Sequence, residues 1–239
     1  MIRYAVYFAP DAASPLWRYG SAVIGVDAAT GAEVPFLTTA ALAPDAWSAL
    51  TDDPRRYGFH ATLKAPFALV AGVDEAHLIE AAGRLAAATA PFELAGLEVA
   101  EIGRFIALVP TAPSMPLAAL ARECVESLDA LRAPLSEVDR ARRLKSPLTA
   151  RQAAYLDRFG YPYVLDEFRF HLTLTGPIGE AAIRSRVRQV LASAYATSVP
   201  SGPVAINAIA IYRQESRVGR FRIIERLALS GRRDAATRR

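Results

Sequence analysis

The sequence predicts an α+β fold with two pseudo-symmetric lobes, each with an antiparallel sheet and flanking helices, and an active-site cleft between the lobes. The first observation behind this prediction is a repeated phrase: FHATLKAPF at 59–67 returns as FHLTLTGPI at 170–178. The second is that each copy is followed by an amphipathic helix pattern and then by two strand patterns joined at a turn. This shared order of elements indicates a diverged internal duplication.

The elements can be assigned in order from their residue patterns. Alternating aromatic and β-branched residues predict a first strand at 3–9. Ser14 followed by Pro15 predicts the start of a helix that runs to about residue 24, because serine caps a helix and proline fits its first turn. The remaining predicted elements are a short helix at 44–50, a motif strand at 57–67, a helix at 74–89, hairpin strands at 92–102 and 104–110, helices at 114–131 and 149–159, a motif strand at 168–175, a helix at 180–196, and hairpin strands at 204–213 and 220–229.

The length of the chain suits one domain with two lobes. We predict that this domain spans residues 1–230, with a first motif lobe at about 57–133 and a second at about 164–230. An arginine-rich stretch at 134–147 is predicted to be an irregular linker between the lobes. Residues 231–239 are predicted to form a basic disordered tail.

Charge and hydropathy exclude several classes of protein. The net charge is +4, but the tail GRRDAATRR alone holds four arginines and one aspartate, so the rest of the chain is close to neutral. This argues against a long nucleic acid as partner. No apolar run approaches the ~20 residues of a membrane span. The single cysteine, Cys124, and the lack of a secretion signal indicate a cytoplasmic protein.

The repeated phrases place polar chemistry on one face of each motif strand. Residues two apart on a strand point the same way, so His60 faces the same side as Thr62, and His171 faces the same side as Thr173. Lys64 continues the first row. The alternate positions are apolar, which predicts that each strand packs its other face on the core.

Two histidines and two threonines that meet across a cleft suit a phosphoryl group. The unperturbed pKa of histidine is ~6.5, so one imidazole can accept a proton near pH 7 while its partner gives one to the leaving oxygen. Threonine hydroxyls can donate hydrogen bonds to the phosphoryl oxygens. A zinc site is the chemical alternative, but zinc takes three or four protein ligands and no cluster of Cys, Asp or Glu accompanies the histidines. We therefore expect neither a metal nor another cofactor.

FHATL and FHLTL resemble the paired His-x-Thr motifs of the two-histidine phosphoesterase superfamily, which includes RNA ligase-like proteins and cyclic nucleotide phosphodiesterases. The longer phrases RYAVYFAP, RRYGFHATLKAPF and GYPYVLDEFRFHLTLTG are similar to the branch called phosphonate metabolism protein, which is encoded beside carbon–phosphorus lyase genes in bacteria. The resemblance covers nearly the whole chain except the basic tail. It implies a fold of two related lobes that acts on cyclic phosphodiesters.

The resemblance also implies a role for each matching residue. His60 and His171 would be the acid–base pair, in either order, and Thr62 and Thr173 would hold the phosphate. Members of the superfamily use a further aromatic or basic side chain near the cleft. The candidates here for that substrate-binding role are Lys64, Tyr7, Tyr4 and Arg143.

Together these features predict a metal-independent phosphodiesterase that hydrolyses a small cyclic phosphate. Carbon–phosphorus lyase produces a ribose 1,2-cyclic phosphate, so the resemblance to the phosphonate branch implies this compound as the small-molecule substrate. Two alternatives stay open at this point. One is an RNA-end 2′,3′-cyclic phosphodiesterase, and the other is a non-catalytic protein that binds a phosphorylated metabolite in the same cleft.

Overall fold

Nine strands and seven α-helices are formed in the computed structural model, which describes residues 1–37, 43–144 and 147–232. Short 3₁₀ turns lie at Asp129–Leu131 and Leu165–Glu167. This mixture of helices with antiparallel strands is the α+β class that the sequence predicts. In chain order the elements are β1 (Arg3–Phe8), α1 (Pro15–Ile24), α2 (Pro44–Tyr57), β2 (Ala61–Phe67), α3 (Glu75–Ala88), β3 (Phe92–Leu94), β4 (Leu97–Ile102), β5 (Phe105–Pro110), α4 (Met115–Glu126), α5 (Glu137–Arg143), α6 (Ala150–Phe159), β6 (Leu172–Thr173), α7 (Ala181–Ser198), β7 (Val204–Ile206), β8 (Ala208–Gln214) and β9 (Arg222–Ala228).

The main sheet has seven strands in the order β4-β5-β6-β2-β1-β8-β9, and β3 pairs with β7 in a small separate sheet. The motif strands β2 and β6 are neighbours in its interior and are joined by one residue pair, Ala61 with Leu172. On the β6 side of this junction, α7 packs on β4 and β5. On the β2 side, α4 packs on β2, and α3 packs on β8 and β9. The sheet thus has two halves, each with its own helices, that meet at the repeated motifs.

Each half of the sheet takes its hairpin from the other half of the chain. The hairpin β4–β5 follows the first motif in sequence but pairs with β6, the strand of the second motif. The hairpin β8–β9 follows the second motif but is linked through β1 to β2, the strand of the first. The predicted lobes at 57–133 and 164–230 describe the duplication along the chain, whereas in space the two copies interleave.

The apolar face of each motif strand is buried in the core, as the alternation predicts. The predicted inward face of α3, which holds Leu78 and Ala82, is buried as well. On the motif strands, burial alternates residue by residue, so the polar row is left at the surface of the sheet. Buried are Phe59, Ala61, Leu63, Phe170, Leu172 and Leu174, whereas His60, Thr62, His171 and Thr173 are partly exposed.

The first motif strand begins later than predicted. Helix α2, predicted to end at residue 50, continues to Tyr57, so β2 starts only at Ala61. Gly58 permits the sharp turn between them, because its φ is +77° and a Cβ at this position would lie 2.4 Å from the Cβ of Ala28. The helix therefore ends shortly before His60, and a glycine carbonyl faces the motif.

The second motif strand is shorter than predicted. Strand β6 keeps only two residues of the predicted 168–175. The amides of Leu174 and Thr175 both donate to the carbonyl oxygen of Ile106, at 2.9 and 3.2 Å, so the regular ladder with β5 stops there. Propensity alone does not reveal where a partner strand stops pairing.

Two further predictions are corrected by tertiary packing. The stretch at 134–147, predicted to be irregular, contains α5, whose N-terminus is capped by the side chain of Ser136. In α7, the periodicity predicts that Ile183 faces inward, but it is 41% exposed because it lies in the first turn. Val187 and Leu191, further along the same helix, are buried as predicted.

The last described residues are fixed on α3. The amide of Gly231, the first residue of the predicted tail, donates to the carbonyl oxygen of Thr89 at 2.9 Å. Residues 233–239 of the predicted tail lie outside the described residues, as do residues 145 and 146 of the predicted linker. Within the parts of the chain that the structure covers, no helix is both long enough and apolar enough to cross a membrane.

Candidate active site

Both motif histidines are held by the backbone carbonyl two residues before them. Nδ1 of His60 lies 2.8 Å from the carbonyl oxygen of Gly58, and Nδ1 of His171 lies 2.8 Å from that of Arg169. A carbonyl oxygen only accepts hydrogen bonds, so in each ring Nδ1 carries a proton and donates it. Nε2 of each neutral imidazole is then unprotonated and can serve as a base.

Strand pairing brings the two motifs to one place. Strands β2 and β6 pair at the residue between the histidine and the threonine of each motif. Continuing this antiparallel register by one residue places His60 opposite Thr173 and Thr62 opposite His171, at the ~4.5–5.5 Å Cα separation of paired strands. Within the first motif, Thr62 Oγ1 lies 3.4 Å from His60 Nε2. All four predicted catalytic side chains therefore lie together on one face of the sheet.

A cleft of about 410 Å³ opens over this face and is lined by His60, Thr62 and Thr173. Tyr7 of β1 also lines it. The Tyr7 ring is stacked on the imidazole of His60, with centroids 3.8 Å apart and an angle of 25° between the planes. Tyr7 is 1% exposed and also packs against Tyr212, so its ring is held in place and restricts the orientation of the imidazole stacked on it.

Burial lowers the pKa of both histidines. The pKa of His60 falls to about 4, mainly because the ring is withdrawn from water, and the nearby His171 lowers it further. The hydrogen bond to the Gly58 carbonyl opposes this shift. The pKa of His171 is also lowered, again mainly by burial. At neutral pH both imidazoles are therefore neutral in the free protein.

The structure does not bring Lys64 to the histidines. The pairing register between β1 and β2 shifts between Thr62 and Lys64, and this bulge turns the lysine out of the row that contains His60. Lys64 Nζ donates instead to the carbonyl oxygen of Val125, at 2.9 Å, and to Asp129 Oδ1, at 3.2 Å. The lysine thus satisfies the C-terminal end of α4. The two-residue period of a strand could not reveal the bulge.

Of the two other predicted substrate-binding residues, Arg143 lies at the cleft and Tyr4 does not. Arg143 reaches the cleft from the end of α5, and its guanidinium carbon lies 4.8 Å from the centroid of the Tyr161 ring. Its Nε is buried and has no hydrogen-bond partner among the described residues. Tyr4 points to the opposite face of β1, where burial and the neighbouring Glu75 of α3 raise its pKa.

The cleft has aromatic and basic walls that the sequence analysis did not single out. The three tyrosines carry a signal, since Tyr57 lies in RRYGF before the first histidine, and Tyr161 and Tyr163 lie in GYPYV before the second. Arg142 belongs to the arginine-rich stretch at 134–147, which the sequence predicts to be a linker. Arg3 carries no signal, because the start of β1 reaches the cleft only through the tertiary fold. The additional lining residues are Arg3, Tyr57, Arg142, Tyr161 and Tyr163.

In this cleft the described residues offer a ligand Nε2 of His60, the hydroxyls of Thr62 and Thr173, and several guanidinium groups. His171 is near enough to His60 to lower its pKa, but it is not among the residues that line the cleft. Nowhere in residues 1–37, 43–144 and 147–232 are three or more His, Cys, Asp or Glu side chains grouped as a metal site requires. The donor set at the cleft is that of an anion site, and chemistry without a metal stays a prediction.

Comparison with known proteins gives the following matches. The family model described as "Protein of unknown function (DUF1045)" matches residues 62–222, more than half of the chain. "Ribose 1,5-bisphosphate phosphokinase PhnN" of Janthinobacterium sp. (strain Marseille) is 38% identical over 239 residues, which are 99% of this chain and 53% of that protein. The protein of the same name in Laribacter hongkongensis (strain HLHK9) is 40% identical over 188 residues, which are 77% of this chain and 42% of that protein. The chain thus spans about half the length of the curated relatives it matches.

Solved structures with a similar arrangement include E. coli LigT complexed with 3′-AMP, with a TM-score of 0.47 and 17% identity. That alignment covers 95% of this chain and 97% of LigT. TT0787 of Thermus thermophilus aligns with a TM-score of 0.44 and 16% identity, over 97% of this chain and 100% of TT0787.

Proposed function

We propose a function for this chain, which belongs to the family described as "Protein of unknown function (DUF1045)": it is a metal-independent phosphodiesterase that hydrolyses a small cyclic phosphate, ribose 1,2-cyclic phosphate. The observation that carries this proposal is the pairing of Ala61 with Leu172, the residues between the histidine and the threonine of each motif, which brings the two motifs side by side. A base, an acid and two hydroxyl donors at one place are what the hydrolysis of a phosphodiester requires.

The reaction needs a base that takes a proton from water and an acid that gives a proton to the leaving oxygen. Nε2 of His60 takes a proton from water, and the water oxygen bonds to phosphorus. The bond between phosphorus and one ring oxygen breaks, and that oxygen receives the proton of His171, which leaves a phosphomonoester and a hydroxyl group. Thr62 and Thr173 donate hydrogen bonds to the non-bridging oxygens. We assign His60 as the base because burial lowers its pKa to about 4, which keeps its Nε2 unprotonated over a wide range of pH, and His171 takes the other role.

The names of the relatives support ribose as the sugar. Both relatives are named for a kinase that acts on ribose 1,5-bisphosphate. If water opens the ring of ribose 1,2-cyclic phosphate 5-phosphate by breaking the bond between phosphorus and O2, the phosphate stays on O1. The product is then ribose 1,5-bisphosphate, the compound in that name. The proposed reaction would therefore supply the substrate of such a kinase.

The test of this proposal is phosphorus NMR of the purified protein with ribose 1,2-cyclic phosphate 5-phosphate in the presence of EDTA. We expect the cyclic phosphodiester resonance to be replaced by a phosphomonoester resonance, with the phosphate on O1. A parallel sample contains a nucleoside 2′,3′-cyclic phosphate. Turnover of the nucleotide alone would favour RNA-end processing, and binding without turnover of either compound would favour the non-catalytic alternative. Activity that EDTA removes and zinc restores would contradict the metal-independent mechanism.

The pH dependence of kcat/KM is predicted from the two histidines. In the free protein, His60 must be unprotonated and His171 protonated. The rate constant should therefore fall as the pH drops toward about 4, where His60 gains a proton. It should also fall as the pH rises through the pKa of His171, which burial lowers from its ordinary value. The predicted optimum is therefore displaced toward acidic pH.

The measurement uses a cyclic phosphate without a monoester group, so that the substrate does not titrate in this range. The negative charge of bound substrate favours protonated histidine, so the optimum of kcat should lie at higher pH than that of kcat/KM. A profile that rises or falls in one direction only would contradict the paired roles.

A further inference from the structure

A second cavity, of about 140 Å³, adjoins the active-site cleft. It lies between the end of α4, the helix α5 and the strands β1 and β2. The two spaces are adjacent, because six residues line both of them. The residues that line both are Arg3, Ala65, Pro66, Arg142, Arg143 and Tyr161.

Cationic side chains surround the second cavity. Asp139 balances two of them: its carboxylate accepts hydrogen bonds of 2.7 and 2.5 Å from Arg217 and lies 3.2 Å from Arg142. These arginines hold the pKa of Asp139 well below its usual range. Asp129 lies behind the cavity and balances two more by its contacts with Lys64 and Arg132. The six cationic residues that line the cavity are Arg3, Lys64, Arg132, Arg142, Arg143 and Arg217.

The two remaining arginines contact neutral groups and line both spaces. Arg3 donates from Nε and Nη2 to the amide oxygen of Gln214. Arg143 lies over the ring of Tyr161, and its buried Nε lacks a hydrogen-bond partner among the described residues. Burial lowers the pKa of Arg3, and the charge of Arg217 lowers it further. Six cations around one small cavity, against two carboxylates, leave an excess of positive charge.

We propose that this cavity binds a second phosphate group of the substrate, a phosphomonoester remote from the cyclic phosphate, and that it selects cyclic phosphates that carry one. The inference rests on the proposed function, since it assumes that the cyclic phosphate lies against the motif histidines. Guanidinium groups bind phosphate through paired N–H donors, and a dianion offsets the repulsion among crowded arginines. Arg3 and Arg143, placed between the two spaces, contact both ends of such a substrate.

The test compares kcat/KM for ribose 1,2-cyclic phosphate with and without a 5-phosphate. In the wild type we expect a preference of about 100-fold for the 5-phosphorylated compound, since each charge-assisted contact is typically worth about tenfold or more. Arg217→Gln should lower this preference about 10- to 100-fold. Arg217 lies in the turn between β8 and β9 and is 44% exposed, so its replacement is compatible with folding. The preference, rather than the rate on either compound, is the readout.

The matched control is Arg84→Gln. Arg84 is exposed on α3, pairs with Glu80 on the same helix and lines neither cavity. It should keep the wild-type preference. A wild type that hydrolyses both compounds equally well, or an Arg217→Gln variant with an unchanged preference, overturns the second phosphate site while the proposed function stands.

If the wild type hydrolyses neither compound, the proposed function fails and binding alone decides the role of the cavity. Titration calorimetry with ribose 5-phosphate then compares the wild type, Arg217→Gln and a variant in which His60 and His171 are both asparagine. We expect the histidine changes to leave the affinity intact and Arg217→Gln to weaken it about tenfold or more. The reverse pattern overturns the cavity as a phosphate site.

Discussion

Replacement of either motif histidine by asparagine is expected to lower kcat by about 10²- to 10⁴-fold. The amide nitrogen of asparagine takes the place of imidazole Nδ1, so the variants can keep the hydrogen bonds to the carbonyl oxygens of Gly58 and Arg169. They have no counterpart of Nε2, so the group that takes or gives the proton is removed while the backbone contact stays. Because the two histidines act as a unit, the double variant should lose little more than each single variant.

The third histidine of the chain is the matched control. His77 lies on α3, is exposed, and its Nδ1 is 2.7 Å from Asp74 Oδ1. His77→Asn should therefore keep the wild-type kcat. Steady-state rates on the cyclic substrate, together with its affinity for each variant, give the measurement. A His60→Asn or His171→Asn variant that turns over as fast as His77→Asn would contradict the acid–base roles.

The same variants test which histidine is the acid and which is the base. A phosphodiester with nitrophenolate as its leaving group needs no proton on that group, because nitrophenolate is already a stable anion. On such a substrate His171→Asn should lose much less activity than on the cyclic phosphate, whereas His60→Asn should keep its full loss. The opposite pattern would exchange the two assignments and leave the pair itself intact.

The repeated phrases were sufficient to predict the polar face of the motif strands, because this prediction depends only on the period of a strand. His60, Thr62, His171 and Thr173 are left on the exposed face of the sheet, and the residues between them are buried. The two motif strands, which carry the resemblance to two-histidine phosphoesterases, are direct neighbours in the sheet. The α+β class is confirmed, since hydrophobic periodicity and turn residues specify the elements locally.

Features that depend on tertiary contacts could not be predicted from the pattern. Lys64 does not point to the same face as His60 because the pairing of β1 with β2 contains a bulge. No local sequence signal predicts this bulge. Each half of the sheet takes its hairpin from the other half of the chain because of the way the strand edges pair in the folded protein. A single sequence does not reveal this pairing. Arg3 and Arg142 are far apart in sequence and reach one cleft only in the folded protein. An unpaired buried guanidinium nitrogen, such as Nε of Arg143, becomes visible only in three dimensions among the residues that the structure describes.

Replacement of the motif threonines by valine is the second change with a large expected effect. Thr62→Val and Thr173→Val remove one hydroxyl each, and we expect each to lower kcat by about 10²- to 10³-fold, the typical cost of losing one oxyanion donor. Valine is β-branched and nearly isosteric with threonine, so the strands should keep their stability. The corresponding serine variants keep the hydroxyl and should retain most of the rate.

Thr175 provides the contrast. It lies two residues beyond Thr173, where a regular strand would place it on the same face, but it has a structural role. It is 1% exposed, and its Oγ1 accepts a hydrogen bond of 3.1 Å from the amide of Ile106 in β5. Thr175→Val leaves that buried amide unpaired and should destabilise the protein by about 1–3 kcal/mol, which lowers Tm by about 2–4 °C per kcal/mol in a chain of this size. At a temperature where it is folded, its kcat should be close to that of the wild type. If Thr173→Val lowers Tm and keeps kcat, the hydroxyl of Thr173 serves the fold and the phosphate is held by other groups.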